Sequence, residues 1–400
     1  MKKLLISSFD MEVGGVERSL LSMLNNFDYN QFDVELFLFS QTGDFLELLP
    51  PKATLLDEIV EYKTVRQSIK EVFKANQWFI GISRVLAKFS MLFSKVKEKD
   101  YLQTQLIWKF CLPFFPQVPK EYDVAISYLW PHDYVATKVK AKLKIAWIHT
   151  DYSAISTDIK SDLIMWDKFD HIISISDDCS RAFVNKYPSL QKKLTVVENI
   201  TSPDFIKTMS LEKLPSYVFN KECFTLLSVG RLCHPKAFDK AVKTLDLVHQ
   251  KGYTYIKWFV IGYGPDEEKL KKLITKYKLE KSFILLGKIN NPYPYMKGCD
   301  LYVQPSRYEG KAVTVSEAKI LAKPILVTNY PTAASQITDG VDGIICESSI
   351  EKIAQNIIGL YENKEQRQDL SYFCHKQDYN NTNELKKLYT LMNPTKELVK

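Results

Sequence analysis

Short runs of apolar and β-branched residues recur along the chain, separated by segments with helical spacing. In the first half these runs are KLLISS, FDVELFLFS, YDVAISY, LKIAWIH, HIISIS and KLTVVEN; in the second they are CFTLLSVG, YIKWFVIG, SFILLG, DLYVQP, PILVT and GIICE. Strands alternating with helices imply parallel sheets with crossover helices. Two of the intervening segments carry helix end signals: DKAVKTLDLVHQKG runs out at Gly252, and PDEEKLKKLITKYKL begins with proline and acids. Between the two series, residues 201–221 hold two prolines and no clean period, which marks a domain boundary. The pattern predicts an α/β protein of two Rossmann-like, doubly wound domains over residues 1–205 and 206–378. The first carries a helical insertion between Thr42 and Lys120, with its helices at about 57–120, and residues 379–400 form a C-terminal helix returning to the first domain.

Composition narrows the class without changing this picture. A chain of 400 residues, 46% hydrophobic and 25% charged, is long enough for two stable cores. Seven cysteines are scattered singly with no C-x-x-C pair, so neither a zinc site nor a disulfide framework is indicated, and a reducing, cytoplasmic setting is expected. The opening MKKLLISSFD has an apolar run of only about six residues before Asp10, too short for a signal segment or a membrane span, and it reads as the first strand.

The net charge of +7 is concentrated in one place. Residues 63–120 hold eleven basic side chains (Lys63, Arg66, Lys70, Lys74, Arg84, Lys88, Lys95, Lys97, Lys99, Lys109 and Lys120) against three acids (Glu71, Glu98 and Asp100). In the same segment Ile80, Ile82, Val85, Leu86, Phe89 and Phe93 recur at roughly helical spacing. Basic amphipathic helices of this kind either lie on anionic lipid or pack on their own domain with a solvated lysine face. No nucleic-acid recognition motif accompanies the charge, so nucleic acid is not an expected partner.

Doubly wound sheets bind ligands beyond the carboxyl ends of their strands, so the loops after those runs are the places to look for chemistry. The first is FDMEVGGVERS, where Gly14 and Gly15 precede a helix carrying Glu17 and Arg18. A glycine pair there serves either as a flexible turn or as a close approach of backbone N–H groups to an anion. The G-x-G-x-x-G dinucleotide fingerprint is absent, which counts against a dehydrogenase. After CFTLLSVG, Arg231 stands directly past the strand and Lys236 five residues on, a fork-shaped donor and a mobile ammonium suited to a diphosphate or simply to solvent. After KWFVIG, Gly262 and Gly264 frame a tight turn that admits a nucleotide base or is only a turn.

The stretch SRYEGKAVTVSEAK places Glu309 on the loop after DLYVQPS and Glu317 eight residues later. In one continuous helix the two carboxylates would lie about 80° apart, and Gly310 would weaken the middle, so a loop followed by a helix fits better. Thr314 with Glu317 makes a T-x-x-E capping-box pattern, which would give Glu317 a structural task. Glu309 precedes that cap, where no local structure demands an acid, and it points to a ligand. With a helix N-terminus for phosphate, the two carboxylates would accept hydrogen bonds from polyhydroxylated groups on either side of it.

Taken together and in order, G-G-x-E at Gly14–Glu17, G-R-L at Gly230 followed by Lys236, G-x-G-P at Gly262, and E-x7-E from Glu309 to Glu317 with AKILAKPILVT resemble the retaining glycosyltransferases of family 4. The resemblance spans nearly the whole chain, strongest from Leu226 to Glu347 and weak between Thr42 and Lys120. It implies the GT-B fold, two such domains facing a central cleft, and transfer of a sugar from a nucleotide donor, UDP-linked, to a hydroxyl of a glycan. The acceptor implied is a lipid-linked oligosaccharide of bacterial surface polysaccharide synthesis, capsule or exopolysaccharide, handled at the inner face of the cell membrane. An anionic membrane surface is then a further partner.

By the same resemblance Glu309 would bond the donor sugar's hydroxyls and Glu317 the nucleotide ribose, while Arg231 and Lys236 would hold the diphosphate. Gly15, with Gly14, would let the first domain's loop close over the phosphates, and Gly262 and Gly264 would border the nucleotide. Gly310, Lys311, Ala312 and Val313 would present backbone N–H groups to phosphate. His149, in WIHTD, matches the family's position near the reacting sugar; as a lone histidine at a strand end it has an equally ready structural use. Many members have Phe-Gly where this chain has Lys311 and Ala312, which puts the donor's identity in doubt. No D-x-D motif lies near the donor strands, so neither a metal nor another cofactor is expected. Two other readings compete: a sugar-nucleotide epimerase of related architecture, and a non-catalytic partner or glycan-binding protein, against which the presence of Arg231, Lys236 and Glu309 argues.

Overall fold

Six apolar runs of the first half form strands of one parallel sheet, and the six of the second half form another. In the computed structural model, which describes residues 1–12, 14–92, 100–153, 155–214, 219 and 222–393, the first sheet comprises β1 (Lys2–Ser8), β2 (Phe32–Leu38), β3 (Thr54–Leu55), β4 (Glu121–Ser127), β5 (Lys140–Ile148), β6 (His171–Ser174) and β7 (Leu194–Val196). Its order is β3-β2-β1-β4-β5-β6-β7. The second comprises β8 (Phe224–Val229), β9 (Ile256–Ile261), β10 (Phe283–Gly287), β11 (Leu301–Gln304), β12 (Ile325–Thr328) and β13 (Ile344–Cys346), in the order β10-β9-β8-β11-β12-β13. Every pairing is parallel, with Leu4 opposite Val34 on one side and Val124 on the other, and Leu226 opposite both Trp258 and Leu301.

Both sheets wind outward from their first strand in one direction and then restart on its other side. The strand order therefore reverses between β1 and β4 in the first sheet and between β8 and β11 in the second, and at each reversal the carboxyl ends open a crevice. The loops flanking the second crevice carry Arg231 and Lys236 after β8 and Glu309 after β11.

Alternate residues of each strand feed opposite cores, as a pleated strand requires. Leu226, Leu301 and Val303 pack under the helices Phe238–Gln250 and Ile350–Glu362, while Leu227, Val229 and Tyr302 pack under the helix Val313–Ile320. Two polar side chains of this core pair with each other: Trp258 Nε1 donates to Ser228 Oγ at 2.9 Å, and Ser228 Oγ donates to Val303 O at 2.6 Å.

The chain divides into two compact units, Met1–Ile200 with the described part of Thr382–Lys400, and Thr201–Asn381. The helix Glu384–Met392 docks at the start of β2, where Tyr389 stacks on Phe32 with centroids 5.8 Å apart and its hydroxyl accepts from the Asp28 N–H at 2.8 Å. In the insertion between Thr42 and Lys120, β3 extends the sheet before the helices Ile69–Lys74, Trp78–Leu92 and Asp100–Cys111 begin. Phe93, Lys95, Lys97, Glu98 and Lys99 lie outside the described residues. The apolar set expected on one face divides: Ile80 is buried on the core, whereas Ile82, Val85, Leu86 and Phe89 are exposed. Among the described residues no helix is long and apolar enough to cross a membrane.

Candidate active site

The crevice of the second sheet is built by two loops that hold each other. After β8 the chain passes Gly230 and the exposed Arg231 into the turn His234–Lys236, and Ala237 then starts the helix Phe238–Gln250 in a left-handed conformation, φ 56°. That conformation costs a non-glycine residue roughly 1 kcal/mol, and it sets the direction in which Lys236 leaves the turn. After β11 the chain runs through Ser306, Arg307 and Glu309. The Arg307 N–H donates to Pro235 O at 2.7 Å, and its guanidinium forks onto Asp239, at 2.9 Å to Oδ1 and 2.8 Å to Oδ2, with a further bond to His234 O at 2.6 Å. Burial pushes the Asp239 carboxyl up, but the hydrogen bonds and charge of Arg307 outweigh it and hold the group below the usual carboxylate range.

This fastening brings two of the four expected catalytic side chains (Arg231, Lys236, Glu309 and His149) into contact. Lys236 Nζ lies 2.6 Å from Glu309 Oε1. The same oxygen accepts Gln304 Nε2 at 2.8 Å and Ser306 Oγ at 2.5 Å. Gln304 is itself only 1% exposed, and its Oε1 accepts from Tyr302 Oη at 2.8 Å. All three donors converge on one carboxylate oxygen, and Oε2 has no hydrogen-bond partner among the described residues. Loading one oxygen so heavily fixes the carboxylate's plane and aims the other oxygen.

The turn between Glu309 and the following helix is held from a distant segment. Thr332 Oγ1 donates to Glu309 O at 3.0 Å, and the Gln336 side chain clamps Ala312 at both ends, its Oε1 accepting the Ala312 N–H at 2.9 Å and its Nε2 donating to Ala312 O at 3.0 Å. The side-chain amide thus plays the part of a neighbouring strand. The resemblance implied that the Ala312 N–H faces phosphate; here it is spent on Gln336 and is not available to an anion. Lys311 and Gly310 lie half-buried in the same turn, and Val313 opens the helix.

Glu317 differs from its expected structural use. The helix Val313–Ile320 has Ala312 as its N-cap with no side-chain cap, so Thr314 is already inside it and the T-x-x-E capping box is not formed. Thr314 Oγ1 turns to Gln304 Oε1 at 3.4 Å instead, and Glu317, 1% exposed, accepts from Tyr293 Oη at 2.9 Å.

Gly262 and Gly264 have a complete account in the protein itself. A Cβ on Gly262, at φ 152°, would lie 1.9 Å from Gly230 O, and one on Gly264 would lie 2.4 Å from Leu232 O. The two loops are joined backbone to backbone, Gly230 N–H to Ile261 O at 2.9 Å and Leu232 N–H to Tyr263 O at 3.0 Å. The space beside these glycines is therefore filled by the loop that carries Arg231, and the glycines position that loop.

The remaining expected residues sit in the first unit. Gly14 is the N-cap and Gly15 the first residue of the helix Gly15–Asn25. A Cβ on Gly14 would come 2.1 Å from Glu17 Oε2, so the Glu17 side chain folds back over the glycine pair. Burial, reinforced by the charge of Asp10, pushes its carboxyl up to about 7. Asp10 pairs with Arg66 at 2.9 Å, and Arg66 lies 3.5 Å over the Phe9 ring. His149, just past β5, packs beside Trp147 and Tyr128, with ring centroids at 6.1 Å and 4.8 Å. Both its ring nitrogens are sealed from solvent without a hydrogen-bond partner, and burial lowers its pKa to about 3, so the imidazole is neutral. Among the described residues no three His, Cys, Asp or Glu side chains converge as a metal site requires.

Sequence reasoning passed over Gln304, Ser306, Arg307, Asp239 and Gln336. Gln304 had a visible signal, an amide closing the otherwise apolar strand DLYVQ. Asp239 and Gln336 had none, because their partners are far away in the chain.

Comparison with known proteins accords with this geometry. The family model for glycosyl transferases group 1 matches residues 210–377. An uncharacterized glycosyltransferase of Methanocaldococcus jannaschii is 29% identical over 170 residues, 42% of this chain and 42% of that protein. The N-acetylgalactosamine-N,N'-diacetylbacillosaminyl-diphospho-undecaprenol 4-alpha-N-acetylgalactosaminyltransferase of Campylobacter jejuni is 26% identical over 174 residues, 44% of this chain and 45% of that protein. The chain thus matches less than half the length of either relative. The solved structure of Anabaena HepE in complex with UDP superposes with a TM-score of 0.67 at 14% identity, covering 99% of this chain and 100% of that one. The full-length likeness shows the GT-B fold.

Proposed function

Residues 210–377 belong to the glycosyl transferases group 1, and from that premise we propose that the protein is a retaining glycosyltransferase, moving a sugar from a UDP-linked donor to a hydroxyl of a lipid-linked glycan. The observation that carries this reading is the Lys236–Glu309 contact at the reversal of the second sheet, with Glu309 Oε2 left open.

Each group has a task that its surroundings suit. As the bond between the anomeric carbon and the diphosphate breaks, its electron pair goes to the phosphate oxygen. Arg231 and Lys236 meet that charge, and N–H groups at the start of the helix Val313–Ile320 add to it. One such preorganised donor is typically worth about 3 kcal/mol. Lys236 carries three N–H donors, so it can keep Glu309 and still reach a phosphate. Glu309 Oε2 accepts the donor sugar's hydroxyls, and Glu317 accepts from the ribose. The acceptor hydroxyl bonds to the anomeric carbon on the face the diphosphate leaves, and its proton passes to the departing diphosphate oxygen. His149 is neutral, so once a ring nitrogen is uncovered it would meet a sugar hydroxyl rather than a charged group. Cationic side chains and amides meet the leaving charge in this scheme, so it calls for no metal.

The acceptor class rests on two supports. The Campylobacter relative's name specifies a diphospho-undecaprenol-linked substrate, and the basic stretch of this chain suits an anionic membrane surface at the inner face of the cell membrane. The test is release of nucleoside diphosphate from a panel of nucleotide sugars mixed with lipid-linked glycan acceptors. Acceptor-dependent release, lost in Glu309→Ala with its fold intact, is the expected result. An altered nucleotide sugar appearing without any acceptor would overturn the reading in favour of an epimerase.

A further inference from the structure

The helix Trp78–Leu92 is apolar on two sides, and the fold uses only one of them. Ile80, Ala87 and Met91 are buried against the first unit's core. On the opposite side Trp78, Phe79, Ile82, Val85, Leu86 and Phe89 are exposed, Phe79 at 70% and Trp78 at 59%. At about 100° per residue these six fall within a sector of roughly 120°, a full amphipathic face. Phe114, also exposed, stacks on Phe79 with ring centroids 5.4 Å apart and planes 9° apart, extending the patch to the end of the next helix. A soluble helix that is hydrophobic all round is normally buried all round, and scattered exposed apolar residues are ordinary, but a continuous face of this size marks an interaction surface.

The charges around the patch select the occupant. Lys70, Lys74, Lys88 and Lys109 are exposed on the same and neighbouring helices, and of the acids in the described part of this stretch Glu71 is occupied in a capping box with Ser68. An apolar face edged by lysines and carrying a tryptophan and two phenylalanines matches a bilayer's interface, where rings sit at headgroup level and lysines meet anionic lipid. We infer that the exposed face of the helix Trp78–Leu92, with Phe114, docks on an anionic lipid surface. The inference rests on the proposed lipid-linked acceptor, whose sugar would thereby be met at the membrane, and it goes beyond that reading by naming the residues that enter the lipid.

Trp78 supplies a native probe. Of the six tryptophans, Trp108, Trp147, Trp166 and Trp258 are fully buried and Trp130 is half-buried, so Trp78 alone is exposed. The experiment mixes the full chain with vesicles of phosphatidylcholine alone and of phosphatidylcholine with phosphatidylglycerol, and reads flotation and Trp emission. The expected result is flotation with the anionic vesicles at low salt and a blue shift in emission that is absent in Trp78→Phe. Phe79→Ser combined with Leu86→Ser should weaken partitioning by about tenfold per side chain. Both sites are exposed, so the thermal midpoint should stay unchanged. Absence of flotation at every ionic strength would overturn the inference. So would a wild-type dimer that Phe79→Ser with Leu86→Ser turns into a monomer without changing flotation, since the face would then belong to a second copy. Protection against unfolding by UDP is measured alongside in both proteins. Its absence would count against the proposed transfer chemistry and leave the lipid result standing.

Discussion

Two carboxylates eight residues apart have different local duties. Glu309 has three donors on one oxygen and an open second oxygen, the arrangement of a group held for something else. Glu317 is buried and accepts a hydrogen bond from the Tyr293 hydroxyl, so its removal takes away a buried hydrogen bond. Losing a buried hydrogen bond to a charged group costs about 1–3 kcal/mol. Glu317→Ala should therefore lower stability by that amount in denaturant unfolding and weaken UDP binding by about tenfold, one charged hydrogen bond's worth. Tyr293→Phe breaks the same hydrogen bond from its other end and should lower stability while leaving UDP affinity unchanged. An equal loss of affinity in both variants would mean Glu317 acts on the nucleotide through packing alone.

At the scale of elements, the crevice of the second sheet is shaped by loop-to-loop fastenings rather than by single helices. Arg307 ties the Glu309 loop to the turn and helix that carry Lys236, through a planar fork onto Asp239 and two carbonyl contacts. Only arginine offers that fork. Arg307→Lys should keep the charge yet lose the alignment, lowering kcat about tenfold or more with the fold retained, and Asp239→Asn should do the same. Steady-state kinetics on the folded variants checks this; unchanged kcat in both would show that the loops hold their places without the fork.

These fastenings also explain what was legible in the sequence. The long strands were, because each is an unbroken apolar run between turn residues, and the loop positions of Arg231, Lys236 and Glu309 followed from where those runs end. β3 was not, since two residues carry no period. The helix start at Val313 was misjudged because Thr314 and Glu317 match a capping box by spacing, whereas the turn is set by Gln336, twenty-four residues away and invisible to any local pattern. The paired glycines at Gly262 and Gly264 were visible, but their cause, another loop's backbone, was not. Nor could spacing say that the apolar positions of the helix Trp78–Leu92 divide between the core and solvent.

At the scale of the molecule, both sheets reverse their strand order at the first strand, and each reversal carries charged side chains on the loops above it. In the first unit Glu17 covers the glycine pair with its own carboxyl, next to the Asp10–Arg66 pair. In the second unit the cations Arg231 and Lys236 stand on the loop at the crevice, and Lys236 meets Glu309, whose second oxygen is open. The central claim is that this second crevice grips an activated sugar by its diphosphate. Calorimetric titration of UDP into the wild type, Arg231→Ala and Lys236→Ala tests it most directly. The account predicts binding to the wild type and a loss of about tenfold or more in each variant, the worth of one charge-assisted hydrogen bond; UDP bound as tightly by both variants as by the wild type would contradict it.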